Sequence, residues 1–274
     1  MTFYGFGTAQ ASAHYIPTLS LGERVALGYE SQFERWHKFG FNADVDDVTE
    51  ESVVPYGGLA NFPLVATYPG AKMEVVSTST DDDSNVAGIG ARTVTIYYLT
   101  AAGVEKTEVV ALDGTTPVET AATDIWRING FRVKTMGTSQ GAVGTITVQE
   151  LDTAPKYSAI LPGATRAYNS QYTVPAGKRL FITDWECTSV GAVKGTNDFL
   201  QFRLLANKDY DGVASGVNLF EHGDMSVEGG GENRHFEVPL SFAAGTDIVV
   251  NCKGIAATDH TQAATYMQGY LITV

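Results

Sequence analysis

Cysteine is nearly absent from this chain: Cys187 and Cys252 are the only two among 274 residues, too few for the disulfide framework that holds small secreted domains together. Both fall on the apolar side of expected strands, beside Phe181 and Trp185 in one case and Ile248 and Val250 in the other, and read as small buried thiols. No apolar run approaches the roughly 18 residues that a membrane-spanning helix needs, so no membrane partner is expected. The opening MTFYGFGTAQASAHYIP lacks the basic, then greasy, then small-residue order of a signal peptide, so synthesis and folding in a cytoplasm are expected. Basic residues are scarce as well, 18 Lys and Arg against 31 Asp and Glu for a net charge of -13, and they form no run. Phosphate recognition needs clustered cations, so nucleic acid is not an expected partner.

What the chain does contain is strand periodicity. Between residues 73 and 151, MEVVSTS, ARTVTIYYL, KTEVVAL, FRVKTM and TITVQEL are separated by turn signals such as TAAG and DGTT. Short strands with turns this close predict an antiparallel β-sandwich. Val94, Ile96 and Tyr98 share one side of their strand and Thr93, Thr95 and Tyr97 the other, the pattern of a sheet with one buried face. Trp126 and Ile128 have one parity and Phe131 and Val133 the other, with Asn129 and Gly130 at the change. That phase shift predicts a bulge or tight turn that keeps all four on the core.

Several ordered segments in this region, FNADVD (41–46), VPYGGLANFP (54–63), MEVVSTSTDDDSNVAGIGARTVTIYYL and VVALDGTTPVET, resemble a module of uncharacterised structural proteins of tailed bacteriophages, particularly aquatic ones. The resemblance covers about residues 36–150. It implies a virion component and brings no catalytic residue with it.

Leu21, Val25, Tyr29, Phe33 and Trp36 recur at spacings of four, four, four and three with charged residues between them, which predicts an amphipathic helix. Ser20 is the expected N-cap and Glu23 completes a capping box; Gly28 weakens the helix by about 1 kcal/mol relative to Ala. Residues 1–17 lack a clear period and read as an arm ordered only against something else. Residues 42–52 are acidic without a basic residue and read as an exposed loop. DTAPKYSAILPG from Asp152 marks an expected boundary, after which YTVPAGKRLFITDWECTSV, FLQFRLLAN, RHFEVPLSF, DIVVNC and TYMQGYLITV predict a second unit of longer strands, jelly-roll-like in architecture. Phe236, Val238, Leu240 and Phe242 alternate with polar neighbours, and Pro239 places its strand at an edge or a kink. The expected fold is therefore all-β, with two antiparallel β-sandwich domains at 41–152 and 153–274 and an N-terminal arm and short helix at 1–40.

Three clusters invite a chemical reading. Asp81, Asp82 and Asp83 offer oxygen ligands to calcium, but consecutive loop residues point different ways and the EF-hand spacing is absent, so a solvated turn is expected. Asp209 and Asp211 before Gly212 read the same way. The histidines His14, His37, His222, His235 and His260 show no metal-ligand spacing; His222 and His235 flank a glycine-rich loop with Asp224, Glu228 and Glu232, where a metal or acid-base site is the weaker alternative to loop chemistry. No nucleophile elbow is present. The expectation is a chain without catalytic residues, cofactor or metal, acting through subunit interfaces as a capsid decoration or cement protein, or as a collar or fibre-attachment subunit. Its partners are then other virion proteins, whether capsid, collar or tail subunits, and further copies of itself, a trimer in preference. Its location is the virion, assembled in the host cytoplasm. A receptor- or glycan-binding tail tip and a polysaccharide hydrolase are the alternatives; the hydrolase needs paired carboxylates on a concave face, and no repeat of the β-helix kind is present. The residues expected at the interface are Phe3, Tyr4, Phe6, Tyr15, Leu21, Val25, Tyr29, Phe33 and Trp36, large apolar groups outside both expected sandwiches.

Overall fold

A computed structural model describes residues 20–45, 49–55, 69–85, 89–152, 156–190, 199–207, 219–255 and 261–274. Among them lie one helix, α1 (Leu21–Ala26), and sixteen strands: β1 (Phe33–Val45), β2 (Glu51–Ser52), β3 (Met73–Ser77), β4 (Ala91–Leu99), β5 (Glu105–Ala111), β6 (Val118–Glu119), β7 (Arg127–Met136), β8 (Ile146–Glu150), β9 (Lys156–Ile160), β10 (Tyr172–Thr173), β11 (Lys178–Val190), β12 (Phe199–Asn207), β13 (Leu219–Val227), β14 (Gly230–Phe242), β15 (Asp247–Ile255) and β16 (Thr261–Thr273). The described chain is all-β, and every strand pair is antiparallel.

The strands form four small sheets in the orders β1-β16-β11-β14, β10-β15-β12-β13 with β2 beside β15, β6-β3-β8-β9, and β5-β4-β7. Their buried side chains gather into two cores. One is built from the first two sheets around Trp36, Trp185, Phe202, Leu204, Ile248 and Met267; the other is built from the last two around Met73, Ile96, Trp126, Phe131 and Ile146. The chain enters the first core at Trp36, leaves it after Val53 for the second, and returns at Tyr172. Accordingly the expected boundary at 152/153 falls between β8 and β9, two strands paired with each other, and residues 33–45 pair with the distant strand β16. The acidic stretch before β3 is tied down in the same way. Glu50 pairs with Arg203 and accepts a hydrogen bond from Asn251, while Glu51 accepts one from Asn42, so neither is the solvated loop residue that its composition suggested.

The expected helix over residues 20–36 is shortened to six residues, and the reason is Gly28. Ser20 and Glu23 form the capping box at the start. At the end Gly28 takes φ 76°, its amide bonds to the Val25 carbonyl and that of Tyr29 to the Arg24 carbonyl, the pairing of a Schellman stop. Gly28 therefore terminates the helix instead of weakening its middle. Beyond it the chain extends, and Phe33 and Trp36 lie on opposite faces of β1.

Two irregularities shape the sheets. In β7 the pairing passes from Tyr97↔Gly130 to Tyr98↔Ile128, so Asn129 is the extra residue of a bulge and Trp126, Ile128 and Phe131 all stay buried. In β14 the pairing jumps from Ile182↔Leu240 to Asp184↔His235, so residues 236–239 bow out of the sheet. The expected alternation fails there: Val238 is 83% exposed, and Phe236 and Leu240 only partly cover the core. Pro239 has no amide to donate, which suits it to this unpaired bow on an edge strand.

The two cores are joined through a desolvated polar junction. The Asn129 amide donates to the Thr173 carbonyl at 2.8 Å and its oxygen accepts from the Thr173 amide at 2.8 Å. Beside it Arg127 makes a two-pronged ion pair with Asp247, Nε to Oδ1 at 3.1 Å and Nη2 to Oδ2 at 3.2 Å, with both side chains almost fully buried. The guanidinium lies 3.6 Å over the Trp126 ring, and Thr173 donates its hydroxyl to Asp247. Lys38 on β1 donates to the Asn129 carbonyl at 2.5 Å. Lys38 is half-buried as a residue, and burial of its ammonium pushes its pKa down to about 7.

Candidate functional site

Alternation along β1 sends Trp36, Gly40 and Asn42 inward, which leaves Phe33, Arg35, His37, Phe39 and Phe41 on the outer face. The register carries the same division across the sheet. Arg35 stands beside Tyr270, Phe181 and Ser241; His37 beside Gln268, Asp184 and His235; and Phe39 beside Tyr266, Glu186 and Asn233. An antiparallel sheet covered on one side normally shows water a polar outer face. This outer face instead holds Phe33, Phe39, Phe41, Phe181, Tyr266 and Tyr270, all half-buried, with edge-to-face contacts between Phe33 and Tyr270 and between Phe39 and Tyr168.

Helix α1 rises beside this face as a wall. A Cβ on Gly22 would come within 2.9 Å of the Tyr270 hydroxyl, so the helix sits directly against that ring. Between helix and sheet runs a groove of about 410 Å³ lined by Arg35, His37, Asp184, Tyr266, Gln268 and Tyr270 among others. Its polar centre is ordered. The Asp184 carboxylate meets His235 Nδ1 at 2.7 Å and accepts from Gln268 Nε2 at 3.1 Å. Burial opposes ionisation of Asp184, but the hydrogen bonds from His235, Thr183 and Gln268 prevail and hold its pKa below the ordinary value.

Of the nine residues expected at an interface, Phe3, Tyr4, Phe6 and Tyr15 lie outside the described residues. Leu21 and Val25 are half-buried on α1, and none of that helix is fully buried. Tyr29 is 41% exposed, and its neighbour Leu27 is 60% exposed. Phe33 belongs to the outer face of β1. Trp36 lies in the core, 7% exposed and packed edge-on against Tyr172, because strand alternation replaces the helical period at Phe33. Phe39, Phe41, Tyr266 and Tyr270 were not singled out by sequence, although the alternation of β1 and β16 on both sides of Gly40 and Gly269 carries the signal.

The acidic triplet is not a solvated turn throughout. Asp82 is fully buried and accepts hydrogen bonds from the amides of Ala91, Val143 and Gly144 and from the Ser77 hydroxyl. Both carboxylate oxygens face donors, so Asp82 is a clasp between loops and has no lone pair directed at a cation. Asp209 and Asp211 lie outside the described residues. The cluster around the β13–β14 turn disperses only in part: His222 packs against Phe242, whereas Asp224, Glu232 and His235 border one pocket of about 350 Å³, in which Asp224 accepts from Gln201 and His235 is held by Asp184. Among the described residues no three His, Cys, Asp or Glu side chains gather in a metal-binding group, and no helix is long and apolar enough to cross a membrane. Cys187 and Cys252 are free and buried, and burial pushes both thiols well above their ordinary pKa.

No protein-family model matches the chain, and no curated protein matches it. Among solved structures it has a slight likeness to the VP2 subviral particle of infectious bursal disease virus, at 9% identity and TM-score 0.21 over 88% of this chain and 72% of that one. The Gx strain of the same virus gives 8% identity and TM-score 0.19 over 88% and 73%. Similarity this low fixes neither family nor fold.

Proposed function

We propose that the chain is a non-enzymatic structural protein of a tailed-bacteriophage virion, a capsid decoration or cement protein or a collar or fibre-attachment subunit, that works by burying surface against neighbouring subunits. Its two cores are then two β-sandwiches, the one containing Trp185 jelly-roll-like and the one containing Trp126 inserted into it. The observation that carries this reading is the half-apolar outer face of β1, β16 and β11 beside the exposed Leu27 and Tyr29. Surfaces of this kind mark interaction sites on soluble proteins, and the resemblance of residues 36–150 to phage structural modules supplies the setting. Antibody raised against the purified chain should decorate intact phage particles at head, neck or tail. Its failure to bind particles that contain every essential structural protein would overturn the reading.

A glycan- or receptor-binding tail tip is the second reading, favoured by the ordered Asp184 and Gln268 between Tyr266 and Tyr270, since sugars stack on aromatic rings, donate their hydroxyls to carboxylates and exchange hydrogen bonds with planar amides. Binding of host envelope polysaccharide by the full chain, lost in Asp184→Ala, separates it from the first.

A further inference from the structure

Strand β14 ends its sheet. Among the described residues it is hydrogen-bonded as a strand to β11 alone, and residues 230–235 are all exposed. Glu232 stands opposite Cys187 and Arg234 opposite Trp185, both buried, so an acid and a base two residues apart lie on the core side of the edge. Among the described residues neither enters a salt bridge; Arg234 Nη1 donates to the Asp224 backbone carbonyl at 3.3 Å, and the Asp224 carboxylate is taken by Gln201. The pocket of about 350 Å³ bordered by Asp224, Met225 and residues 232–235 runs along this edge. We infer that β14 pairs antiparallel with β14 of a second copy about a two-fold axis at Asn233.

Three features agree on that register. Glu232 of each copy then lies opposite Arg234 of the other, and opposite charges across a strand pair are stabilising. Moving the axis by one residue sets Glu232 against Glu232 or Arg234 against Arg234, and like charges directly opposite are destabilising. Size follows the same symmetry, because His235 and Phe236 fall opposite Gly231 and Gly230, and glycine within a strand suits the close approach of another backbone. The axis is also the middle of the stretch available, which is bounded by the turn before Gly230 and by the bow that follows His235. Bulges and proline blunt an exposed edge, and the bow with Pro239 does so for residues 236–239. Residues 230–235 carry instead charges of both signs, in an order that an antiparallel copy complements. Strand β5 also ends its sheet and also has a base and an acid two apart, yet there Lys106 is paired with Asp124 and Glu108 caps the amides of Ala121 and Ala122. The contact at β14 is isologous and closes a dimer. It continues the two sheets as one and leaves β1 and β16 uncovered, so it goes beyond the interface reading proposed above and does not depend on it.

Charge reversal tests it. Sedimentation over a range of concentrations gives the dissociation constant of the full chain, of Glu232→Arg, of Arg234→Glu, of the variant carrying both changes, and of an equal mixture of the two single variants; circular dichroism reports folding. The full chain should be a dimer. Each single variant sets like charges opposite on both sides of the axis and should dissociate at least about tenfold more readily. The mixture should recover the affinity of the full chain, since each variant supplies the charge the other lacks, and so should the variant carrying both changes. A monomeric full chain, or single variants as tight as the full chain, would overturn the contact. Single variants that dissociate without recovery in the mixture would overturn the register at Asn233. If a single variant does not fold, amide hydrogen exchange of the unmodified chain decides: protection at residues 230–236 that is lost on dilution supports the pairing, and exchange that ignores concentration overturns it. A dimer absent from phage particles would leave the contact standing and remove only the virion reading.

Discussion

Replacing Asp247 by Ala isolates the energetic role of the junction between the two cores. The change removes one half of an ion pair whose side chains are 3% and 2% exposed. Arg127 keeps its stacking on Trp126 but loses both bonds to the carboxylate, and Thr173 loses the acceptor of its hydroxyl. Breaking a buried pair on one side costs about 3–5 kcal/mol, because the remaining charge is left desolvated without compensation. At about 2–4 °C per kcal/mol for a chain of this size, the thermal midpoint should fall by about 6–20 °C. Removing both charges together, as Arg127→Met with Asp247→Leu, should recover most of that loss, since an apolar pair of similar volume needs no compensation. Calorimetry on the wild type, both single variants and the double variant gives the coupling directly. If Asp247→Ala lowers stability by less than about 1 kcal/mol and the double variant is merely additive, water reaches the junction and the account of it as desolvated is refuted.

Asp82→Ala should cost about 3 kcal/mol or more, since it orphans the buried amides of Ala91 and Gly144 and that of Val143, each about 1–3 kcal/mol when unsatisfied; an unshifted denaturant midpoint would remove its role as a clasp. The pKa of Lys38 falls from 10.5 to about 7 on folding, so between those values the unfolded chain holds more protons and stability rises with pH; the cost is fully present below about 7 and fades as pH climbs. Lys38→Met should lack that rise, and a wild-type-minus-variant difference that stays constant between about pH 6 and about pH 9 contradicts the assignment. At Gly269 an added Cβ would sit 1.8 Å from the Phe181 carbonyl oxygen, so Gly269→Ala should prevent β16 from pairing with β11, and a soluble variant that melts like the wild type would show that the backbone gives way there.

Local alternation was readable from sequence because each strand declares its own inner face: Val94, Ile96 and Tyr98 are buried as their parity demands, and the bulge between Ile128 and Phe131 follows from a change of parity in the chain itself. Partnership between distant strands was not readable. Leu21, Val25, Tyr29 and Phe33 keep a helical spacing across a Schellman stop, and only pairing with β16 shows that Phe33 and Trp36 belong to a strand. The same limit hid the site. Phe39 and Phe41 mark β1 as apolar on both faces, yet the surface they form with Tyr266 and Tyr270 exists only after the first and last strands meet. Among three consecutive aspartates, only the loops 89–91 and 141–144 determine that Asp82 is the one taken inside.

The position of β16 has a consequence in time. It lies between β1 and β11 in the middle of its sheet, yet a ribosome makes it after every other strand described. Strand β1 therefore waits, its partner unmade, while the core around Trp126, whose members lie between Ala71 and Tyr168, can fold beside it. Until translation reaches Thr273 the aromatic face does not exist as a surface. A chain that stops short of β16 thus cannot present it, and its appearance reports that β16 has been made and paired.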